Sequence, residues 1–507
     1  MPGAYDLVVT SPGFSAARST VTIAVSSVTQ VSVTLLPESV RQAVKVSVKA
    51  ALSSITRQPL DSDSAVLGGV VTSQDLDTVP LANRSFANIA YLVPGTEPVE
   101  PSDPTKARIT AVSFGGSSGL NVELSVDGGD NSDDYIGGFL QNFSPDSIEE
   151  FAVRTAQEDA DTGRTTAGSV VITTRRGTDD WHGDAAIYLR DAALNARFPI
   201  ENPAPDPKQP FSRQNYIGAL GGPVRQGRLW FFSSLEFVHE DASIAYSPSN
   251  LAQFTALSGL AAQGLIPSVN SIPVPGNIAV PFRDYLGTTR LDWRQSSRSQ
   301  WFLRAAIDNY TTHNDLVQQG SLPSTGAASH SNYMNLLVNQ QTTFNASWIG
   351  SLTMEASGLH HTETRNSNLG LALAFPFSST FQTISGYETF GDNQFVTPIT
   401  AFPVLRNQEK YQARYDLSHA SGRHSPHFGV NFIHEPVLGG ALASTQENLT
   451  QFVLNPSSYA NDPLQFVSDL NCTFNPPPGS PLPPATPGTT CASTPAGDGS
   501  FSQNVQR

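Results

Sequence analysis

The sequence predicts a mainly β chain whose larger part is an antiparallel sheet of the kind that closes into a transmembrane barrel, and three observations predict it. After Trp181, apolar and polar residues alternate with a period of two in nine segments, near 181–190, 213–222, 229–240, 284–295, 299–310, 334–348, 351–365, 410–418 and 426–435. Such alternation marks strands with one apolar and one polar face. The connections alternate too: 191–212, 241–283, 311–333 and 366–409 are long, whereas 223–228, 296–298, 349–350 and 419–425 are short. Membrane barrels have tight turns on one side and long loops on the other, and a soluble sandwich has no reason to sort its loops by side. Finally, all five tryptophans, Trp181, Trp230, Trp293, Trp301 and Trp348, fall at strand ends on the short-turn side, four of them on the apolar face. An amphipathic ring favours the headgroup level, so they read as one aromatic girdle, with core tryptophans placed by chance as the plainer alternative.

Composition narrows the classes. The 507 residues carry 44 acidic and 29 basic side chains, a net charge of −15, which disfavours nucleic acid as a partner. Charged residues are 14% of the chain, against about 25% in ordinary soluble domains. No apolar run approaches the roughly 20 residues of a spanning helix, and Pro376 interrupts one of the longest, Leu369 to Phe377. The first residues, MPGAYDLVVTSPGFS, lack the basic start and apolar core of a signal peptide, so either the protein is not exported or Met1 is not its true start.

The elements follow in order. In residues 1–36, Tyr5, Leu7 and Val9 alternate with polar neighbours, Pro12-Gly13 turns the chain, and Val21, Ile23, Val25, then Val31, Val33, Leu35 continue the pattern. Those short strands supply about one sheet, the end of a β-sandwich. Residues 37–64 read as a linker with a β-prone stretch at Val44 to Val48. Residues 65–177 form an α+β domain: Phe86, Ile89, Ala90 and Val93 share a helical face that Pro94-Gly95 stops. Strands are expected at 108–114, 121–127, 151–155 and 169–175. Residues 178–507 are the barrel portion.

The stretch 144–177, SPDSIEEFAVRTAQEDADTGRTTAGSVVITTRRG, resembles the end of the plug domain of TonB-dependent outer-membrane receptors. Ile148-Glu149, Phe151 to Arg154, Thr162-Gly163 and Gly168 to Arg176 occupy the places of that family's pattern. GTDDWHGDAAIYLRDAALNA and NYIGALGGPVRQGRLWFF look like the first barrel strands of the branch that carries a carboxypeptidase-regulatory-like sandwich before the plug, and GAYDLVVTSPGF looks like that sandwich's end. The resemblance implies a cell outer-membrane receptor with plug and N-terminal domain on the periplasmic side. Its partners would be outer-membrane lipid, a TonB-type energy-transducing protein and an extracellular ligand of open class: siderophore, cobalamin, oligosaccharide or peptide. Family barrels close with more strands than these nine, and the chain begins partway through the sandwich, so truncation at both ends is expected. The alternative is an outer-membrane structural or adhesion protein that uses the barrel as anchor.

Within that resemblance, Val44, Lys45, Val46, Ser47 and Val48 are the candidate TonB box, since strand addition needs an extended, unpaired, β-branched segment; an ordinary linker strand is the alternative. The apical plug loops supply the candidate ligand contacts Gly115, Gly116, Ser117, Asp130, Asn131, Asp133, Asp134 and Tyr135. Asp127, Asp130, Asp133 and Asp134 invite a Ca²⁺ site, but the spacing is not an EF-hand, and Asp-Gly and Asn-Ser are common turn formers. A solvated turn is preferred there, a ligand-contacting loop comes next, and no metal site is assigned. Asp184, Arg190, Glu236, Asp292, Arg294, Arg304, Asp308, Arg414 and Asp416 lie on polar strand faces, where they would meet water or Glu149, Glu150, Arg154, Arg175 and Arg176.

Nothing suggests an enzyme or a cofactor. No nucleophile elbow, phosphate loop or His-Glu-x-x-His helix occurs, and His360-His361 and His424/His427 lack partners at ligand spacing. Cys472 and Cys491 enclose the Pro-rich NPPPGSPLPPATPGTT on the long-connection side, where an oxidising exterior would keep them as a disulfide.

Overall fold

The computed structural model describes residues 3–506 apart from 24–29, 38–45, 50–66, 100–110, 118–121, 157–162, 198–207, 267–270, 316–321, 367–370, 377–392, 396–403, 444–447, 470–497 and a few isolated positions. The chain opens with two small pairs. β1 (Gly3–Val9) runs antiparallel to β2 (Ala17–Ile23), and β3 (Gln30–Val33) to β4 (Val46–Lys49). Pro12-Gly13 lies in the first connection, with Gly13 at φ +79°.

An α+β domain follows. Its elements are β5 (Leu67–Thr72), α1 (Ser73–Thr78), β6 (Thr96–Val99), β7 (Ala111–Phe114), β8 (Val122–Val126), β9 (Gly129–Asp130), β10 (Ile148–Ala156) and β11 (Gly168–Thr174). The sheet order is β5-β10-β11-β8-β9, antiparallel except between β11 and β8. Thr72 and Asp75 form a capping box that starts α1. Ile89, Ala90 and Val93 are buried with Phe139, Ile148, Phe151, Val170 and Ile172 in one core. The helix expected around Phe86 is a 3₁₀ turn, Phe86–Leu92. Ser85 gives it no side-chain cap, and the Thr96 hydroxyl donates to the Ala90 and Val93 carbonyls at its end, which favours a short tight element.

The remainder is a ten-stranded antiparallel sheet. Its strands are β12 (His182–Asp191), β13 (Phe211–Arg225), β14 (Leu229–Ala245), β15 (Asn277–Arg294), β16 (Ser299–Asp315), β17 (Ala327–Asn345) and β18 (Trp348–Arg365). After β19 (Leu371–Pro376) and β20 (Asn393–Phe395) come β21 (Val404–His419), β22 (His427–Ala443), β23 (Asn448–Gln451) and β24 (Asp498–Gln506). The order is β12-β13-β14-β15-β16-β17-β18-β21-β22-β24. The nine alternating segments are all strands; β24 is a tenth, paired with β22 through a register shift, and its alternation is too weak to mark it.

Burial in this sheet is inverted relative to a soluble protein. On β16 the buried residues are Phe302, Arg304, Ala306, Asp308, Tyr310 and Thr312, while Leu303 and Ile307 are exposed. Lys410 and Glu435 are fully buried, whereas Met334 and Leu235 are each 62% exposed. A sheet with polar residues inside and apolar residues outside is stable only where the outside is lipid. Outward aromatics form two rows. Trp293 and Trp301 face each other across β15–β16 at the short-turn end, and Tyr216, Phe237 and Tyr285 line up across β13–β15 higher up, with Phe237 and Tyr285 rings 4.6 Å apart. Trp293 to Tyr285 is eight residues, about 27 Å along a strand, which after tilting approximates an apolar band.

The long connections fold together. The α2 helix (Pro248–Ala262), α3 (Pro456–Asn461) and α4 (Pro463–Asp469) pack with β19 and β23, which pair in parallel. Phe254, Leu257, Leu322, Phe375, Tyr459 and Phe466 share one buried core drawn from four different connections.

Candidate functional site

The α+β domain meets the barrel wall through polar side chains. Its hydrophobic core takes only Ala306 from the wall among the described residues. The centre of contact is the β8–β9 hairpin. Asp127 (φ +53°) and Gly128 (φ +87°) make its two-residue loop, and successive left-handed residues are what a type I′ turn requires, hence Asp-Gly. The Asp127 carboxylate is fully buried and accepts from the Thr174 backbone N–H at 3.0 Å and hydroxyl at 2.7 Å. From the wall, Arg290 reaches it at 3.2 Å and Arg304 at 2.9 Å. Burial pushes this carboxyl up, but the two guanidiniums and Thr174 outweigh it and hold it below the ordinary range.

Two residues on, the wall leaves no space. A Cβ at Gly129 would stand 2.5 Å from Glu355 Oε2 and 2.6 Å from Leu337 Cδ1, so any other residue would force these two buried side chains to move. The Asp130 N–H donates to Glu355 at 2.7 Å and to Gln412 at 2.9 Å. Lys410, from β21, donates to Asp130 at 3.0 Å, Asp134 at 2.8 Å and the Ser132 carbonyl at 2.8 Å, and lies 3.3 Å from Glu435. Arg406 meets Asp133 at 2.8 Å. The solvated turn expected at 127–135 is therefore not found: Asp127, Asp130 and Asp133 are buried in ion pairs with the wall. Solvation yields because each carboxylate finds a cation on the lumenal face.

A second corner holds Asp146, Arg84 and Glu236. Arg84 pairs with Asp146 and lies 3.9 Å from Glu236, and the Asn142 N–H donates to Asp308 at 2.8 Å. Burial, with Glu236 and Asp184 nearby, raises the Asp146 carboxyl despite Arg84. Arg175 reaches Asp184 at 3.5 Å.

Of the residues singled out in the sequence, Glu236, Arg304, Asp308 and Asp184 meet the domain. Asp292 pairs instead with Arg290 at 2.9 Å, and Arg414 with Asp416 at 2.7 Å. Gly115 and Gly116 lie in an exposed turn, with φ +57° and +86° and open space around each, and Ser117 closes it by accepting from the Phe114 N–H at 3.1 Å. Asn131 bonds within the domain, to Gln141. Val46, Ser47 and Val48 lie in β4, paired with β3 rather than in an unpaired segment. Val44, Lys45, Tyr135, Cys472 and Cys491 lie outside the described residues. Arg290, Arg406 and Lys410 were missed as partners of the aspartate loop, although their place on polar strand faces was the available signal. Among the described residues no cluster of metal-ligating side chains occurs.

A lipid-facing antiparallel sheet whose polar face grips a separate α+β domain through buried ion pairs is the wall of an outer-membrane β-barrel domain. The family described as "Outer membrane beta barrel domain" matches residues 173–278 and 248–465, and the chain belongs to it. The TonB-dependent transporter Oar of Myxococcus xanthus is 25% identical over 246 residues, which are 46% of this chain and 22% of that protein. The outer membrane transporter YddB from Escherichia coli superposes with a TM-score of 0.53 at 10% identity, over 76% of this chain and 50% of YddB. The siderophore receptor PirA from Acinetobacter baumannii gives a TM-score of 0.50 at 11% identity, over 75% and 49% respectively. The chain thus spans half the length of these solved structures or less, and about a fifth of Oar; the solved structures share its fold.

Proposed function

We propose that the chain is the plug and barrel wall of a TonB-dependent outer-membrane receptor, which takes up a scarce extracellular ligand and performs no catalysis. The observation that carries this reading is the polarity of the plug's contact with the wall. An apolar interface would hold the domain as permanently as a core, whereas ion pairs such as Asp127 with Arg290 and Arg304 can be re-solvated when the domain is pulled. The likeness to Oar supports the same class. In this reading β1–β2 is the end of a carboxypeptidase-regulatory-like sandwich, residues 65–177 are the plug, and Gly115, Gly116 and Ser117 contact ligand. Asp130, Asp133 and Asp134 tie the plug to the wall through Lys410 and Arg406, and Asn131 braces the same loop from within the plug through Gln141. The plug and N-terminal strands face the periplasm.

Energy coupling falls to Val44 to Val48. Val46–Lys49 pairs with Gln30–Val33 in a two-stranded sheet, and a strand of the energy-transducing protein would add at the edge of β4 away from β3. Val46→Pro removes a backbone donor, and it should abolish binding of the isolated periplasmic domain of a TonB-type protein, measured by calorimetry, while leaving the barrel's heat-modifiable gel mobility intact. Equal binding by both chains would remove this assignment.

A further inference from the structure

We propose that the short-turn rim of β13–β16 is a binding site for anionic phospholipid headgroups in the adjoining leaflet. The chain is strongly acidic overall, yet its two neighbouring turns read Arg225-Gln226-Gly227-Arg228 and Arg294-Gln295-Ser296-Ser297-Arg298, with four arginines and no acid. All four are exposed. The turns are tied together: the Arg294 N–H donates to the Arg228 carbonyl at 2.8 Å, and the Arg294 guanidinium lies 5.1 Å from the centre of the Trp230 ring. The nearest acids are largely engaged. Asp292 pairs with Arg290, and Asp179 accepts from the Gly227 N–H at 2.6 Å and the Trp230 indole at 2.7 Å, which lowers its carboxyl's pKa. Asp180 is the remaining exposed acid beside them.

Between the turns and the strands below lies a cavity of about 250 Å³, lined by Arg176, Arg294, the paired Asp179 and Asp292, and the tryptophans Trp230, Trp293 and Trp301. Trp293 and Trp301 sit on the outward, lipid-facing side of their strands and are paired in register. Trp301 donates its indole N–H to Gln295 at 3.0 Å, so the ring is fixed just below the second turn. Arg228 and Arg298 stand in the turns at the headgroup level with these outward indoles beneath, the arrangement that suits a phosphate above and acyl chains below, whereas Arg294 lies over Trp230 on the lumenal face of its strand. A free phosphate would satisfy the arginines alone and leave the indoles without a role. A periplasmic protein would reach the turns but not the outward tryptophan faces.

The test uses the intact chain in detergent, titrated with phosphatidylglycerol or with phosphatidylcholine of identical acyl chains and followed by native mass spectrometry. Phosphatidylglycerol should be retained preferentially. The preference should fall about fivefold for each arginine neutralised in Arg228→Gln and Arg298→Gln. Raised ionic strength should erode it in the unaltered protein, an arm independent of any variant's folding. Equal retention of the two lipids, or retention unaffected by both substitutions, overturns the proposal. Displacement of the lipid by millimolar inorganic phosphate overturns it in favour of a soluble-phosphate site.

Discussion

At Asp127 three effects compete, and their balance sets how the α+β domain is held against the sheet. Burial alone would favour the neutral acid, but Arg290, Arg304 and Thr174 favour the anion and prevail. Because the folded pKa is depressed, Asp127 contributes its full stabilisation above the unfolded value of about 3.9, and loses it as pH falls through the lower folded value. Removing one member of a buried pair leaves the other's charge unmatched, at a cost of about 3–5 kcal/mol. Asp127→Asn should therefore lower the opening free energy of the β8–β11 amides, read by hydrogen exchange at neutral pH, by roughly that amount. The difference from the unaltered chain should shrink below the ordinary carboxylate range, where the native Asp127 also takes up its proton. Asp146 has the opposite sign. Its carboxyl is raised by burial with Glu236 and Asp184 near, so ionisation there costs stability as pH rises through the folded value. Asp146→Asn should accordingly cost less than Asp127→Asn at neutral pH. A loss at Asp146 equal to or larger than that at Asp127 would show that the Arg84 pairing outweighs the charge repulsion.

The β8–β9 hairpin couples turn chemistry to docking. Asp-Gly selects the tight turn, and Gly129 lets the backbone lie against Glu355 and Leu337. Gly129→Ala should weaken docking by about 1–3 kcal/mol, the usual cost of overpacking. Gly218→Ala on β13, whose new methyl meets nothing, serves as the control; equal hydrogen-exchange profiles for both variants would contradict the close approach. The elements most legible in the sequence were those with unlike faces. Strand alternation marked β12 to β18, β21 and β22, yet stopped short of their ends: β15 begins at Asn277 whereas the pattern was evident only from 284. Strands of 15 to 19 residues exceed the 9–11 needed to span the apolar band, so their upper parts face water on both sides and lose the contrast that periodicity detects. The aspartate loop was legible as a turn but not as a buried one, because its cations come from Arg290, Arg304, Arg406 and Lys410, more than 150 residues away in sequence. The 3₁₀ turn at Phe86–Leu92 shares its apolar spacing with an α-helix, and the caps that distinguish the two lie outside that pattern.

At the scale of the molecule, the two ends of the barrel differ in kind. The short-turn end carries two- to seven-residue connections, outward tryptophans and exposed arginines. At the other end four connections share a hydrophobic core around Phe254, Phe375 and Phe466. A packed assembly of this size cannot be threaded through a membrane as readily as a short turn, so the long connections are expected on the exterior in the proposed receptor. Orientation follows from this asymmetry and can be read with single thiols in a chain whose Cys472 and Cys491 are replaced by Ser. Ala252 is exposed on α2 and Ser297 on the turn between β15 and β16. In intact cells an impermeant maleimide should modify Ala252→Cys and leave Ser297→Cys untouched until the outer membrane is permeabilised. Labelling at Ser297→Cys in intact cells, with Ala252→Cys protected, would invert the orientation and overturn the proposed arrangement.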